Sequence, residues 1–269
     1  MDDIEEIVDV NGNIRRLGSL VLPDNFVSAF PTTAGEFTPY DDKDILRLVR
    51  DPNRVPARKT FGRKWVVNQR SVGSCNGWLA SQLLHKTRWM MGSKYQDGLL
   101  LSGAYVYSKI NGGQDRGSIL EDGMRAIQKW GAAPASLVTW DMIYPKQQPK
   151  NADAEAAKHK GFNPMRAPTI QDVKTLLGMQ RPVGIAIQAG RGYQTLNKKG
   201  IAGVDNGRGN HAILADDLVE IDGDLYMDHA GSWDLTYGEE GRAYLHFDSV
   251  MQTMNYHVFY TIGSTVEAE

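Results

Sequence analysis

The single cysteine of this 269-residue chain lies where a nucleophile could be activated. Cys75 follows a turn rich in glycine and serine and precedes an apolar segment of helical character, residues 78–91. Because N–H groups at a helix start are unpaired and the helix dipole favours negative charge there, a sulfur at this point is stabilised as the thiolate, which attacks carbonyl carbons. Gln69, six residues upstream, offers a side-chain amide that would form an oxyanion hole together with the Cys75 N–H. The alternative is a buried free cysteine that packs as a small apolar residue.

This turn resembles the nucleophile segment of the papain-like cysteine peptidases, whose usual form is Gln-Gly-x-Cys-Gly-Ser-Cys-Trp followed by a helix. Four residues match that form in register: Gln69, Gly73, Ser74 and Cys75. Three depart from it, since Arg70, Val72 and Asn76 stand in place of glycine, a disulfide cysteine and tryptophan. The resemblance implies an α+β, papain-like two-lobe fold with a helical lobe and an antiparallel β-barrel lobe.

The same family requires a histidine at the start of a strand, and His211 stands in the run Gly-Asn-His-Ala-Ile. Its distance along the chain from Cys75 lies in the family's range. The resemblance implies that His211 accepts the thiol proton and later protonates the leaving amine. The alternative is a structural histidine beside a strand.

A third segment, residues 231–241, resembles the family's Asn-Ser-Trp-Gly-x-x-Trp-Gly-x-x-Gly. Trp233 matches the tryptophan that covers the catalytic imidazole, but Gly231 replaces the asparagine that orients it. His229 lies two residues earlier, on the same face of a regular strand, and is a candidate substitute, whereas Asp228 points the other way. A thiolate–imidazolium pair depends less on a third group than a serine site does, because the two charges hold each other.

The loop that pairs with an extended substrate in this family has two competing matches. Direct matching of its Asn-Gly-Gly sequence selects Gly112 and Gly113. Alignment on the following helix selects Gly117 and Ser118 instead, and a turn that needs glycine explains either choice.

The chain divides into an N-terminal arm (residues 1–55), a mainly helical part (56–162) and a mainly β part (163–269). The arm carries turn signals and one helix at about 42–50. Papain-like enzymes are usually made with an inhibitory prosegment, but the arm is short and lacks the usual prosegment pattern. We therefore expect it to pack on the body or on a neighbouring subunit.

In the β part, the segment Arg-Pro-Val-Gly-Ile-Ala-Ile-Gln-Ala closely resembles a family strand that precedes the catalytic histidine. Alternating segments at 212–214, 225–227, 243–247 and 258–262 predict further strands. By the same resemblance, Ala186 and Ala212 would line the pocket for the substrate residue before the one at the scissile bond.

Composition excludes several classes of partner. Lys and Arg total 30 against 32 Asp and Glu, so the net charge of -2 gives no reason to expect binding to nucleic acid or to an anionic membrane. One cysteine cannot form an internal disulfide, and no Cys/His cluster suggests a metal, so no cofactor is expected. With neither a visible signal peptide nor a run of 18 apolar residues, we expect a location in the cytoplasm or within a phage particle.

The expected reaction is hydrolysis of peptide or amide bonds in a peptide or protein through an acyl-enzyme on Cys75. Two alternatives stay open. One is a weakened or inactive papain-fold protein of a large assembly such as a phage virion, which would contact partners through residues 1–55. The other is acyl transfer to an amine by the same Cys/His chemistry.

Overall fold

The computed structural model describes residues 4–90, 92 and 98–265. Within these residues the helices are α1 (Asp42–Val49), α2 (Ala57–Thr60), α3 (Cys75–Met90), α4 (Gly103–Asn111), α5 (Leu120–Lys129), α6 (Ala152–Ala157), α7 (Ile170–Gly178), α8 (Arg191–Gln194) and α9 (Asp248–Met251). The strands are β1 (Glu5–Val8), β2 (Ile14–Leu17), β3 (Gly161–Ala167), β4 (Val183–Ile187), β5 (His211–Ile221), β6 (Asp224–Ala230), β7 (Arg242–Leu245) and β8 (Phe259–Thr265). None of these helices is long and apolar enough to span a bilayer.

Six strands form an antiparallel sheet in the order β3-β8-β4-β5-β6-β7, and β1 and β2 form a separate hairpin. The expectation of a β-barrel is wrong, because β3 and β7 lie at opposite edges and, over the described residues, the sheet stays open. Other segments cover these edges: the arm's Thr32 bridges to Arg166 in β3, and Ile201 bridges to Tyr244 in β7. Edges covered in this way need no closure to satisfy their backbone groups.

Helix α3 is buried along most of its length and packs against α4, α5 and the sheet. Its crossing with α4 requires glycine on both helices. A Cβ added at Gly77 would lie 2.4 Å from the carbonyl oxygen of Gly103, and one added at Gly103 would lie 2.2 Å from the Trp78 ring. This close approach fixes the position of the first turn of α3, which begins with Cys75.

Buried charges join the far end of α3 to the sheet. The Lys86 ammonium and the Arg242 guanidinium both donate to Asp216, and Arg242 also contacts Asp228. Burial alone would raise the pKa of Asp216, but the Arg242 and Lys86 charges outweigh it and hold that pKa at about 2. All four side chains are buried, so these ion pairs lock the helix against the strands from within.

The arm packs on the body. Residues 18–22 follow its hairpin β1–β2, and Thr33 begins a short 3₁₀ turn. The Ala29 N–H donates to Glu121 and the Thr33 hydroxyl to Asp172, so the arm is tied to α5 and α7.

Candidate active site

Cys75 is the first residue of α3, and its side chain is fully buried. Burial raises the pKa of the thiol to about 11, although backbone N–H groups of Ala212, Gly18 and Asn76 point at the sulfur and act in the opposite direction. The expectation of an acidic thiol is therefore wrong for this covered state. The helix-start position is as expected, but the loss of water around the sulfur outweighs it.

His211 is the first residue of β5 and is also fully buried. The N–H of the next residue, Ala212, is one of the donors to the Cys75 sulfur, so the histidine strand begins against the start of α3. Burial, assisted by the Arg15 charge, lowers the pKa of His211 to about 3. Neither ring nitrogen of His211 has a hydrogen-bond partner among the described residues. In this state both thiol and imidazole are uncharged.

Trp233 lies against the imidazole, with ring centroids 4.8 Å apart and planes inclined by 33°. The indole is itself buried. Arg15 of the arm donates to the Trp233 carbonyl at 3.0 Å, and its guanidinium carbon lies 6.0 Å from the indole centroid. The tryptophan therefore separates the imidazole from solvent, and the arm extends that cover.

The Gln69 amide is held in a fixed orientation. Its Oε1 accepts a hydrogen bond from the Ser232 hydroxyl at 2.5 Å, which leaves Nε2 as the donor end. Nε2 donates to the carbonyls of Val72 and Arg16, each at 2.8 Å. The amide expected to stabilise an oxyanion thus binds a backbone carbonyl of the arm.

Residues 16–20, here called the cleft segment, continue across the site by backbone pairing. The Ser19 N–H donates to the carbonyl of Asn210, the residue before His211, at 3.0 Å. Ser118 donates its N–H to the Gly18 carbonyl at 2.8 Å and accepts from the Leu20 N–H at 3.0 Å. The arm therefore fills the groove that sequence reasoning reserved for a substrate.

Gly18 lies at the tightest point of this contact. A Cβ added there would lie 1.8 Å from the Gly73 carbonyl oxygen and 2.5 Å from the carbonyl carbon. Both atoms belong to the backbone of the nucleophile turn, which cannot move aside as a side chain would. Only glycine fits this position while the cleft segment is in place.

Of the two matches to the substrate-pairing loop, the second brings backbone to the cleft. Ser118 pairs with the cleft segment, and a Cβ on Gly117 would lie 2.8 Å from the Gly18 carbonyl oxygen. Gly112 instead ends α4 in the left-handed conformation, and Gly113 packs against Tyr144.

Asn76 connects the nucleophile helix to this loop. Its Nδ2 donates to the Ile119 carbonyl at 2.6 Å and to the Ser118 hydroxyl at 3.0 Å. Asn76, which replaces the family tryptophan, thus links the start of α3 to Ser118, the residue that pairs with the cleft segment.

Ala186 and Ala212 are opposite each other in the β4–β5 pair, and both are buried. The Thr253 hydroxyl donates to the Ala186 carbonyl at 2.7 Å. Two small side chains therefore adjoin the start of the histidine strand.

His229 does not bond to His211. Its Nδ1 donates to the Ala243 carbonyl at 2.8 Å, and its Nε2 lies 3.1 Å from the Tyr193 hydroxyl. Sequence reasoning missed Tyr193 as a member of the site, although a tyrosine in the segment between two matched strands was a usable signal. It also missed Arg15, whose contacts span most of the chain.

Comparison with solved structures reveals a common architecture. Xylellain, a cysteine protease from Xylella fastidiosa, superposes with a TM-score of 0.64 at 18% identity, over 93% of this chain and 97% of that one. Digestive procathepsin L2 from Tenebrio molitor gives 0.65 at 15% identity, over 92% and 78%. The recombinant stem bromelain precursor gives 0.62 at 19% identity, over 87% and 75%.

The chain has the papain-like fold. No protein-family model matches the sequence, and a search of curated proteins finds no similar sequence. At these identities the likeness extends to the fold alone. The papain-like structures named above are proteases or their precursors, and they give no support to the alternative of a virion component.

Proposed function

We propose that this protein is a papain-like cysteine peptidase that hydrolyses peptide or amide bonds and is held latent by its own arm. The proposal is supported by a chain of contacts in one buried region that the cleft segment covers: Gln69 bonds to Ser232 next to Trp233, Trp233 packs on His211, and the N–H of the residue after His211 points at the Cys75 sulfur. Packing alone does not require a fixed amide donor, a thiol at a helix start and an imidazole under an indole at the same place.

The reaction follows from these groups once the cleft segment has left. His211 takes the Cys75 proton, and the thiolate attacks the substrate carbonyl carbon. The resulting oxyanion accepts hydrogen bonds from Gln69 Nε2, which is then free of Arg16, and from the Cys75 N–H. His211 gives its proton to the leaving amine, and water, activated by the same imidazole, releases the acid and regenerates the thiol.

An extended substrate would take over the backbone partners that the cleft segment now uses. Ser118 offers both an N–H and a carbonyl, and Asn210 offers a carbonyl next to His211. Backbone pairing of this kind holds a peptide without reading its side chains. We infer that Ser118, rather than Gly112 or Gly113, pairs with the substrate.

The test uses the full chain with the cleft segment displaced by Gly18→Ala. Hydrolysis of denatured casein and of a mixed peptide library is followed by mass spectrometry. We expect new peptides with Gly18→Ala, far fewer with the unchanged chain, and none when Cys75→Ser is added.

If Gly18→Ala exposes Cys75 to alkylation but cleaves neither substrate, the protein has kept the papain-like fold without peptidase activity. Gly35→Ala is the matched control, because an added Cβ there meets nothing within 4 Å.

A further inference from the structure

Gly231, which replaces the family's orienting asparagine, has no side chain, and the Tyr193 hydroxyl lies beside it. A Cβ added at Gly231 would lie 3.4 Å from the Tyr193 hydroxyl oxygen and 3.4 Å from Cδ1 of Tyr237. These are ordinary contacts, so a Cβ alone fits, but the atoms of a longer side chain would meet the hydroxyl. Tyr193 thus places a hydroxyl oxygen in contact with the position at which an asparagine side chain would begin.

A protonated His211 ring needs a hydrogen-bond acceptor, and Tyr193 lies beside this ring. The side chain is fully buried, and both of its nitrogens lack a hydrogen bond among the described residues. The Tyr193 ring lies beside it, with centroids 5.9 Å apart and planes inclined by 59°. A buried imidazolium must donate from both nitrogens, so formation of the ion pair with Cys75 creates a demand for an acceptor here.

The direction of the Tyr193 hydroxyl is fixed by His229. A carbonyl can only accept, so the 2.8 Å contact with Ala243 puts the His229 proton on Nδ1. Burial lowers the pKa of His229 to about 3, so the ring is neutral and its Nε2 is an acceptor. Tyr193 therefore donates its proton to His229 at 3.1 Å, and its oxygen, which the Tyr237 hydroxyl also approaches, keeps a lone pair for a further donor.

We propose that Tyr193 is a positioning residue whose hydroxyl accepts a hydrogen bond from the ring N–H of His211 when the thiolate–imidazolium pair forms, in place of the absent asparagine. This inference rests on the proposed peptidase function. It assigns one role to three residues: Gly231 makes the room, and Tyr193 with His229 supplies the fixed acceptor.

The charged and titratable groups around His211 come from four elements. The Arg15 charge acts on it from the arm hairpin, Tyr193 packs on it from α8 and His229 acts on it from β6, while Cys75 in α3 lies against the N–H of Ala212, the residue after His211. Arg15 opposes protonation of the imidazole and would move with the arm. The remaining neighbours are the intended ion-pair partner and the Tyr193–His229 pair.

The experiment compares Tyr193→Phe with Tyr237→Phe, both in the full chain carrying Gly18→Ala. Tyr237 is the matched control because its buried hydroxyl lies in the same aromatic stack and donates to the Tyr193 backbone carbonyl at 3.2 Å. Two readouts are measured: the pH midpoint of Cys75 alkylation by iodoacetamide, and kcat and KM on a peptide that the parent cleaves.

With Tyr193→Phe we expect the alkylation midpoint to rise by about 1 pH unit or more. We also expect kcat to fall about 10- to 100-fold with little change in KM. Both effects correspond to the loss of one hydrogen bond to a charged group. Tyr237→Phe should keep the parent's midpoint. Adding Gly231→Asn to Tyr193→Phe should restore both readouts, whereas Gly231→Asn alone should not improve on the parent, because the hydroxyl fills the space.

Equal midpoints and kcat values for the two phenylalanine variants would overturn the inference while leaving the peptidase proposal intact. A parent that neither cleaves peptides nor reacts through His211 would overturn the peptidase proposal and this inference with it. If Tyr193→Phe does not fold, the ¹⁵N chemical shifts of His211 in the parent test the role of Tyr193. We expect both ring nitrogens to be protonated and hydrogen-bonded at the pH where the ion pair forms. A ring nitrogen without a hydrogen bond would contradict the role of Tyr193.

Discussion

Replacement of Gly18 by alanine should expose the buried thiol. Among the contacts that hold the cleft segment over the site are four N–H···O bonds to its backbone: Gln69 to Arg16, Ser19 to Asn210, and the two between Ser118 and residues 18 and 20. At a net value of about 1 kcal/mol each they sum to about 4 kcal/mol, so the site of the unchanged chain is open about one part in 10³ of the time.

The added methyl group of Gly18→Ala meets backbone at 1.8 Å, so its cost lies at the upper end for overpacking, about 3 kcal/mol. That cost falls on the covered state only, because the displaced segment has no such neighbour. The open fraction should therefore rise by about 100-fold.

The assay is the rate of Cys75 alkylation by iodoacetamide in the full chain, with the adduct located by mass spectrometry. Gly35→Ala in the same arm should label at the rate of the unchanged chain. A thermal melt distinguishes local opening from global unfolding. Equal labelling of Gly18→Ala and Gly35→Ala would refute the reasoning that the cleft segment shields the thiol.

Three further results are expected. Because burial lowers the pKa of His211 to about 3 while the open thiolate–imidazolium pair takes up a second proton at its alkylation midpoint, cover by the arm should be lost progressively as pH falls from that midpoint towards 3. Hydrogen exchange at residues 18–20 measures the loss of cover, and His211→Ala should remove the dependence. Gln69→Ala, with the cleft segment displaced, should lower kcat by about 10²–10³ while Cys75 still alkylates, and an unchanged kcat would remove the amide from the oxyanion hole. Lys86→Met should lower the free energy of unfolding by about 3 kcal/mol, because Asp216 then keeps only the Arg242 ion pair. The control Lys158→Met removes an exposed ion pair and should lower it by less than about 1 kcal/mol. Equal losses in urea titrations would contradict a stabilising role for the buried Lys86–Asp216 pair.

Much of the fold was predictable where local signals coincide with tertiary ones. Helix α7 begins at Ile170, because Thr169 and Asp172 form a reciprocal capping box that is visible in the sequence. The expected helix at 42–50 is Asp42–Val49, capped by Asp41. The predicted strands of the β part all appear, because their alternation reports burial of one sheet face.

The open sheet could not be read from the chain, because closure depends on what covers its two edges. Strand β3 was missed: it contains Pro164 at a sheet edge, where a missing N–H is tolerated but the strand signal is weak. The segments that cover β3 and β7 are loops and an arm without periodicity.

Sequence spacing selected Gln69, Cys75, His211 and Trp233 as candidate site residues, but it could not predict their protonation state or burial. The thiol pKa depends on desolvation by the arm, whose position rests on contacts such as Arg15 with Trp233, far apart in sequence. The role of Tyr193 depends on the space beside Gly231, which no local pattern encodes.

The central claim is that Cys75 and His211 form a reactive pair once the arm is displaced. The most direct measurement is the pH dependence of Cys75 alkylation in the full chain carrying Gly18→Ala, with and without His211→Ala. We expect a midpoint well below about pH 7 with His211 present and above about pH 8 without it. The same midpoint above about pH 8 in both proteins would contradict it.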